Sequence, residues 1–204
     1  KNFKTLGQIV QNNYLFNYLL QKVIEDKNVE IIEEDIEDIT MDKDSTKISL
    51  SSGKSYSAKL LILTDGKNKF TSKFTKSQFI KKPFDQTALS IDSHVKRNYQ
   101  NTAYQFFTKD GPLALLPVNN HRSSFVWSLS DNSEILDFSK EKIKNEIYKY
   151  TKTYIEEPII NSIHKHKLVF SFSKNITCKN VILLGEAAHI VHPIAGQGFN
   201  LTLK

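Results

Sequence analysis

From residue 8 to residue 24, in QIVQNNYLFNYLLQKVI, apolar side chains recur at Ile9, Val10, Leu15, Phe16, Leu19, Leu20, Val23 and Ile24. Spacings of three and four place them on one face of a helix. Between Val29 and Leu63 the period shortens to brief β-like runs broken by DKDS and SSGKS. This predicts a meander of strands. Residues 84 to 130 alternate again, in TALSIDSHV, AYQFF and SSFVWSLS, as antiparallel strands of a second sheet do. Ser139 is placed to cap a helix running to about Ile155, with Ile143, Ile147 and Tyr150 on one face. Strand-like KLVFSFS and NVILLGEAA follow.

Two of these segments share a pattern. Leu60 to Leu63 and Val181 to Leu184 are continuous apolar runs, as expected of strands covered on both faces. The first leads through Thr64 to Asp65 and Gly66, the second directly to Gly185 and Glu186. Open α/β sheets bind ligands just beyond the carboxyl ends of their strands. Asp65 and Glu186 are therefore expected near one crevice, and the alternating strands between them are expected to form an inserted domain.

Composition narrows the class. An apolar fraction of 39% and a charged fraction of 25% are those of a folded globular chain. The net charge is +6, yet of 28 basic residues only Arg97 and Arg122 are arginines. Sequence-specific nucleic-acid readout favours the planar fork of arginine, so lysine excess argues for a solvated surface with at most weak attraction to anionic lipid. Cys178 is alone, which excludes a disulfide framework and a cysteine metal cluster and suits a reducing compartment. No apolar run approaches the ~18 residues of a membrane span. The sequence opens on KNFKTLGQIV and closes on NLTLK inside an apolar pattern, so N- and C-terminal parts are expected to be missing.

The stretch VILLGEAAHIVHPIAGQGFNLTL concentrates the candidate chemistry. Glu186, His189 and His192 form a carboxylate–imidazole set of the kind that holds iron or zinc. However, His192 precedes Pro193, which disfavours the helical geometry such a set needs. A second reading makes both histidines structural. A third rests on the backbone: after Pro193, Gly196-Gln197-Gly198 allows close approach and exposes successive amides. If GFNLTLK opens a helix, those amides carry the positive end of its dipole and suit partial negative charge.

GEAAHIVHPIAGQGFNLTL resembles the second FAD-binding motif of class A flavin monooxygenases, Gly-Asp-Ala-Ala-His followed by Pro and Gly-Gln-Gly-x-Asn. LLILTDGKNKF is similar to that superfamily's Ala-Asp-Gly motif. NTAYQFFTKDGPLALLP followed by SSFVWS resembles the ubiquinone-biosynthesis hydroxylases, as does the helix LGQIVQNNYLFNYLL. The resemblance implies an α/β (α+β) chain, part of a Rossmann-like FAD-binding domain with an inserted, mostly antiparallel substrate-binding sheet. It divides the chain into 1–70 and 181–204 for FAD and 71–180 for substrate. The implied activity is hydroxylation of the aromatic ring of a polyprenylated phenol in ubiquinone biosynthesis, with FAD as cofactor and NAD(P)H and O2 as co-substrates. By position, Glu186 after Gly185 holds the ribityl chain, and Pro193 lies by the flavin ring. Gly196, Gln197, Gly198 and Asn200 serve its pyrimidine end, and Asp65 and Gly66 serve both FAD and the nicotinamide nucleotide. A quinone precursor, other ubiquinone-pathway proteins and peripheral contact with the inner membrane are the implied partners of a cytoplasmic protein.

The chain departs from the pattern at several points. The family's Gly-x-Gly-x-x-Gly loop is not in this sequence, and Glu186 replaces aspartate. Lys69 and Ser72 stand where serine and arginine are usual, and Thr202 where glycine is common. Two other functions stay open: a non-catalytic assembly partner in a quinone-synthesis complex, and a metal-dependent oxygenase. No general base is assigned, because His94, His121, His164 and His166 have no partners visible in the sequence.

Overall fold

The computed structural model describes residues 7–66, 70–71, 79–95, 102–193 and 197–203. Its contacts group the chain into two units, residues 1–30 with 85–168, and residues 31–84 with 169–204. Both mix helices with sheets, the α+β character the resemblance implies.

In the first unit the helical period of the opening segment becomes α1, Asn12–Glu25. None of its residues is buried, and Phe16, Leu19 and Ile24 are exposed. The apolar face is thus real in sequence but packed on little among the described residues. Four antiparallel strands follow, β5 (Phe79–His94, of which residues 85–94 belong to this unit), β6 (Tyr104–Thr108), β7 (Gly111–Pro117) and β8 (Arg122–Ser130), where β1 to β4 belong to the second unit described below. With β9 (Ile159–Ser173) they lie in the order β9-β5-β8-β7-β6. β5 pairs with β8 from Gln86↔Ser130 to His94↔Arg122. β7 pairs with β8 and β6 with β7, also antiparallel.

Strand alternation turns every second side chain to the same face. Leu89, Ile91, Leu113, Leu115, Phe125 and Trp127 are fully buried on one face, against Ile143 and Ile147. The latter two lie on α2, Lys140–Thr151, whose first turn is capped by Ser139 Oγ accepting from Lys142 N at 3.4 Å. The helix stops at Thr151, short of the expected Ile155, although Ile155 N still donates to Thr151 O and its side chain joins the core. Gly111 permits the tight β6–β7 hairpin. Its φ is +132°, and a Cβ there would stand 2.0 Å from Ser128 O.

The second unit holds a small antiparallel sheet, β1 (Ile36–Met41), β2 (Thr46–Leu50) and β3 (Ser55–Ala58), the predicted meander. A second sheet orders β10 (Thr177–Cys178), β11 (Val181–Leu183) and β4 (Leu61–Leu63). β12 (His189–Ile190) pairs with the end of β9, His189 opposite Phe172. Ile39, Leu61, Leu63, Phe70, Val181 and Leu183 form this unit's core. Here the structure corrects one expectation. Leu61 and Leu63 are buried, but Ile62 between them is 48% exposed, so β4 is covered on one face only. A three-residue strand turns its middle side chain away from the core its neighbours enter.

Candidate functional site

β4 and β11 are parallel neighbours in register, Leu61↔Val181, Ile62↔Ile182 and Leu63↔Leu183. Their carboxyl ends therefore emerge side by side, and the chain after each is tied to the other. Leu184 N donates to Leu63 O at 2.9 Å, and Ala187 N to Thr64 O at 3.3 Å. Gly185 has φ +59°, the left-handed region, and starts the 3₁₀ turn Gly185–Ala187. Gly66 lies so near that turn that a Cβ would stand 2.4 Å from Glu186 O. Two motifs separated by more than a hundred residues thus meet backbone to backbone. Asp65 and Glu186, one after each strand, are both exposed.

The rest of the motif runs on from there. Ala188 O accepts from Ser173 N at 2.9 Å, which anchors the segment to β9. His189 Nε2 is buried and makes no hydrogen bond among the described residues. The ring of His192 meets Phe84 edge-on, centroids 4.9 Å apart, and Phe84 in turn meets Phe170 at 6.4 Å. Burial among these rings holds the His192 pKa below its ordinary value. Pro193 is exposed. The helix α3, Gln197–Thr202, opens at Gln197 and packs beside the Gly185–Ala187 turn, with Gly198 and Asn200 exposed. Gly196 lies outside the described residues, as do Lys69, Ser72 and Arg97. Among the described residues no three His, Cys, Asp or Glu side chains converge to hold a metal ion.

The sheet of the first unit carries a polar cluster that sequence reasoning missed. Arg122 Nη2 donates to Asp92 Oδ1 at 3.0 Å, and Asn161 Nδ2 donates to Asp92 Oδ2 at 2.9 Å. Partial burial raises the Asp92 pKa, but those two hydrogen bonds, with the charges of Arg122 and His94, outweigh it and leave the group below the usual carboxylate value. The His94 and His121 rings lie nearly parallel, 6.0 Å apart. The only signal in the sequence was Asp92 at a polar position of an alternating strand. Its partners lie 30 and 69 residues away, beyond what spacing reveals.

A family model described as FAD binding domain matches residues 17–204. The chain belongs to the FAD binding domain family. Among curated relatives, the mitochondrial ubiquinone biosynthesis monooxygenase COQ6 of Drosophila melanogaster is 25% identical, over 95% of this chain and 49% of its own length. The ubiquinone hydroxylase UbiM of Neisseria meningitidis is 24% identical, over 98% of this chain and 44% of its own. The chain thus spans about half the length of the curated relatives it matches. PqsL of Pseudomonas aeruginosa, described as a probable FAD-dependent monooxygenase, shares the fold at TM-score 0.77 and 18% identity, over 93% of this chain and 56% of its own. The p-nitrophenol 4-monooxygenase PnpA of Pseudomonas putida follows at TM-score 0.69 and 15% identity, over 93% and 50%. The β4–β11 junction is where the segments after the two apolar runs come together. No described helix is long and apolar enough to cross a membrane.

Proposed function

We propose that the protein to which this chain belongs is an FAD-dependent monooxygenase. It hydroxylates the aromatic ring of a polyprenylated phenol in ubiquinone biosynthesis, with NAD(P)H and O2 as co-substrates. The observation that carries this reading is the meeting of Gly66 with the Glu186 backbone at the ends of two parallel strands. The donor set there suits a polyhydroxylated chain. Carboxylates accept hydrogen bonds from hydroxyls, and Asp65 and Glu186 are exposed residues beside a turn kept narrow by Gly66 and Gly185.

In this reading residues 1–70 and 181–204 serve FAD, and residues 71–180 serve the phenol. Glu186 holds the ribityl chain, and Pro193 lies by the flavin ring. Gly196, Gln197, Gly198 and Asn200 offer amides to the pyrimidine end. Asp65 and Gly66 border FAD and the nicotinamide nucleotide. FAD, when bound, supplies the redox chemistry that couples NAD(P)H oxidation to insertion of one oxygen atom into the ring. The protein's own part is to bind, orient and exclude water. In this reading the residues named bind the cofactor and do not themselves react.

The test is FAD binding by the full-length protein. It should purify yellow or take up added FAD, and Glu186→Ala should lower FAD affinity about tenfold, the scale of a lost charge-assisted hydrogen bond. A colourless protein that takes up no FAD would count against the reading, and an unchanged affinity in Glu186→Ala would misplace the ribityl contact. The lysine-rich surface supports peripheral contact with an anionic membrane. Failure of the full-length protein to float with anionic liposomes would remove that contact.

A further inference from the structure

After β12 the chain passes through Val191, His192 and Pro193 on its way to α3. Its backbone is anchored just before, where β12 pairs with β9 at His189↔Phe172 and Ile190↔Ser171, and where Ser173 N donates to Ala188 O. Past Ile190 the ladder ends, and these three residues belong to no strand or helix. The ladder therefore stops short of Pro193, the residue proposed to lie by the flavin ring. A side-chain contact takes over there.

His192 supplies it. Its half-buried imidazole stands edge-on to Phe84, ring centroids 4.9 Å apart and planes at 87°. Aromatic rings favour that arrangement, the positive edge of one against the negative face of the other. Phe84 is backed in the same way by Phe170, at 6.4 Å and 80°. Phe170 precedes Ser171 on β9, so one stretch of that strand carries both the ring stack and the backbone anchor. Phe84 is followed by Asp85, whose φ of +51° is left-handed and whose carbonyl accepts from Asp131 N at 3.0 Å. The backbone beside Phe84 is thus held in a conformation that few side chains allow.

Fixing the imidazole fixes more than the imidazole. The residue before a proline is confined to extended backbone, and the proline ring locks its own φ. With those torsions restricted, the rings of His192 and Pro193 turn nearly as one body. The opening of α3 lies beside the same segment, since a Cβ on Gly198 would stand 4.0 Å from Val191 Cγ2. Burial among the rings favours the neutral imidazole, so the contact works by shape and ring quadrupole and brings no charge to the segment.

We propose that Phe84 is a positioning residue for the cofactor: through the edge-on ring of His192 it sets Pro193 where the flavin ring packs. The inference rests on the proposed function for the place of the flavin. It goes beyond it by carrying a side chain of the stretch 71–180, assigned there to the phenol, over to FAD. His192 is the second positioning residue, and Phe170 backs the pair.

The experiment is titration of the full-length protein, stripped of cofactor, with FAD and with ADP-ribose, which shares the adenosine diphosphate of FAD but has no flavin ring. Phe84→Leu fills the space without a ring, Phe84→Tyr restores the ring, and His192→Ala removes its partner. Phe84→Leu should weaken FAD about fivefold, the scale of one edge-to-face pair, and leave ADP-ribose unchanged. Phe84→Tyr should bind FAD as wild type does. His192→Ala should also weaken FAD, and the double variant Phe84→Leu, His192→Ala should lose no more than the larger single loss. The visible circular dichroism of bound FAD should change in Phe84→Leu and His192→Ala and not in Phe84→Tyr. Equal weakening of FAD and ADP-ribose would reduce Phe84 to general packing and overturn the proposal. Losses that add in the double variant would overturn the route through His192. An unchanged FAD affinity in Phe84→Leu would sink the positioning role while the flavoprotein reading stands. Should wild type take up no FAD, both fall.

Discussion

At the scale of single residues, two glycines and a histidine bear the sharpest constraints. Gly66 and Gly111 each face a carbonyl across a gap that a methyl group would close, at 2.4 Å from Glu186 O and 2.0 Å from Ser128 O. Gly111 also has φ +132°, so alanine there adds backbone strain of about 1–3 kcal/mol to the collision. Gly111→Ala should therefore lower unfolding free energy by about 2 kcal/mol or more in urea titration. Gly66→Ala should act at the junction, pushing Asp65 away from Glu186 and weakening FAD binding more than it lowers global stability. His192 makes a different demand. Burial against Phe84 favours its neutral form, so its folded pKa lies below the ordinary 6.5. Between the two values the unfolded chain binds more protons, and stability falls as pH drops below about 6.5. His192→Gln should remove that part of the acid destabilisation, seen as a flatter Tm-versus-pH curve as pH falls below about 6.5.

At the scale of elements, α2 shows how a polar helix is held. Its sequence KEKIKNEIYKYT buries Ile143, Ile147 and Thr151 while the charges face outward. Ile147→Ala should cost about 3 kcal/mol, because the fully buried side chain leaves a cavity under the sheet. Ser139→Ala should cost about 1 kcal/mol through loss of the cap. Chemical denaturation of the two variants gives that ratio directly. These elements were legible in the sequence because period and capping are local: the strand Gly111–Pro117 coincides with the quoted GPLALLP, and the Ser139 cap is where the pattern puts it. What local pattern does not carry is what covers a face. The middle residue of β4 read as buried and is exposed, since burial depends on partners far along the chain. The Asp92 cluster was illegible for the same reason. It exists only once β5, β8 and β9 are set side by side.

At the scale of the molecule, the two apolar runs that ended in an acid and a glycine pointed to one crevice, and the parallel pairing of β4 with β11 sets the glycine after the first against the acid after the second. That part of the site was readable because ligand sites of such sheets lie just beyond the carboxyl ends of parallel strands, where glycine and an acid stood after each run, even though β4 is covered on one face only. The proposed cofactor role of this junction has a consequence that differs between the two units. A ligand that binds only the folded state raises the free energy of opening by RT ln(1 + [L]/Kd), about 2.7 kcal/mol at a hundredfold excess over Kd. Where exchange requires opening of the second unit, amide exchange should slow by about a hundredfold. Leu184, Ala187 and Ala188 are suitable reporters, since their N–H groups are bonded to Leu63 O, Thr64 O and Gly185 O within that unit. Ile143 and Lys152, bonded to Ser139 O and Tyr148 O in the first unit, report on a core that does not include the junction. Hydrogen exchange of the full-length protein with and without FAD should therefore show strong added protection at 184–188 and little at 143–152. Equal protection in both segments would mean that the units open together, and protection confined to 143–152 would place the cofactor away from Glu186.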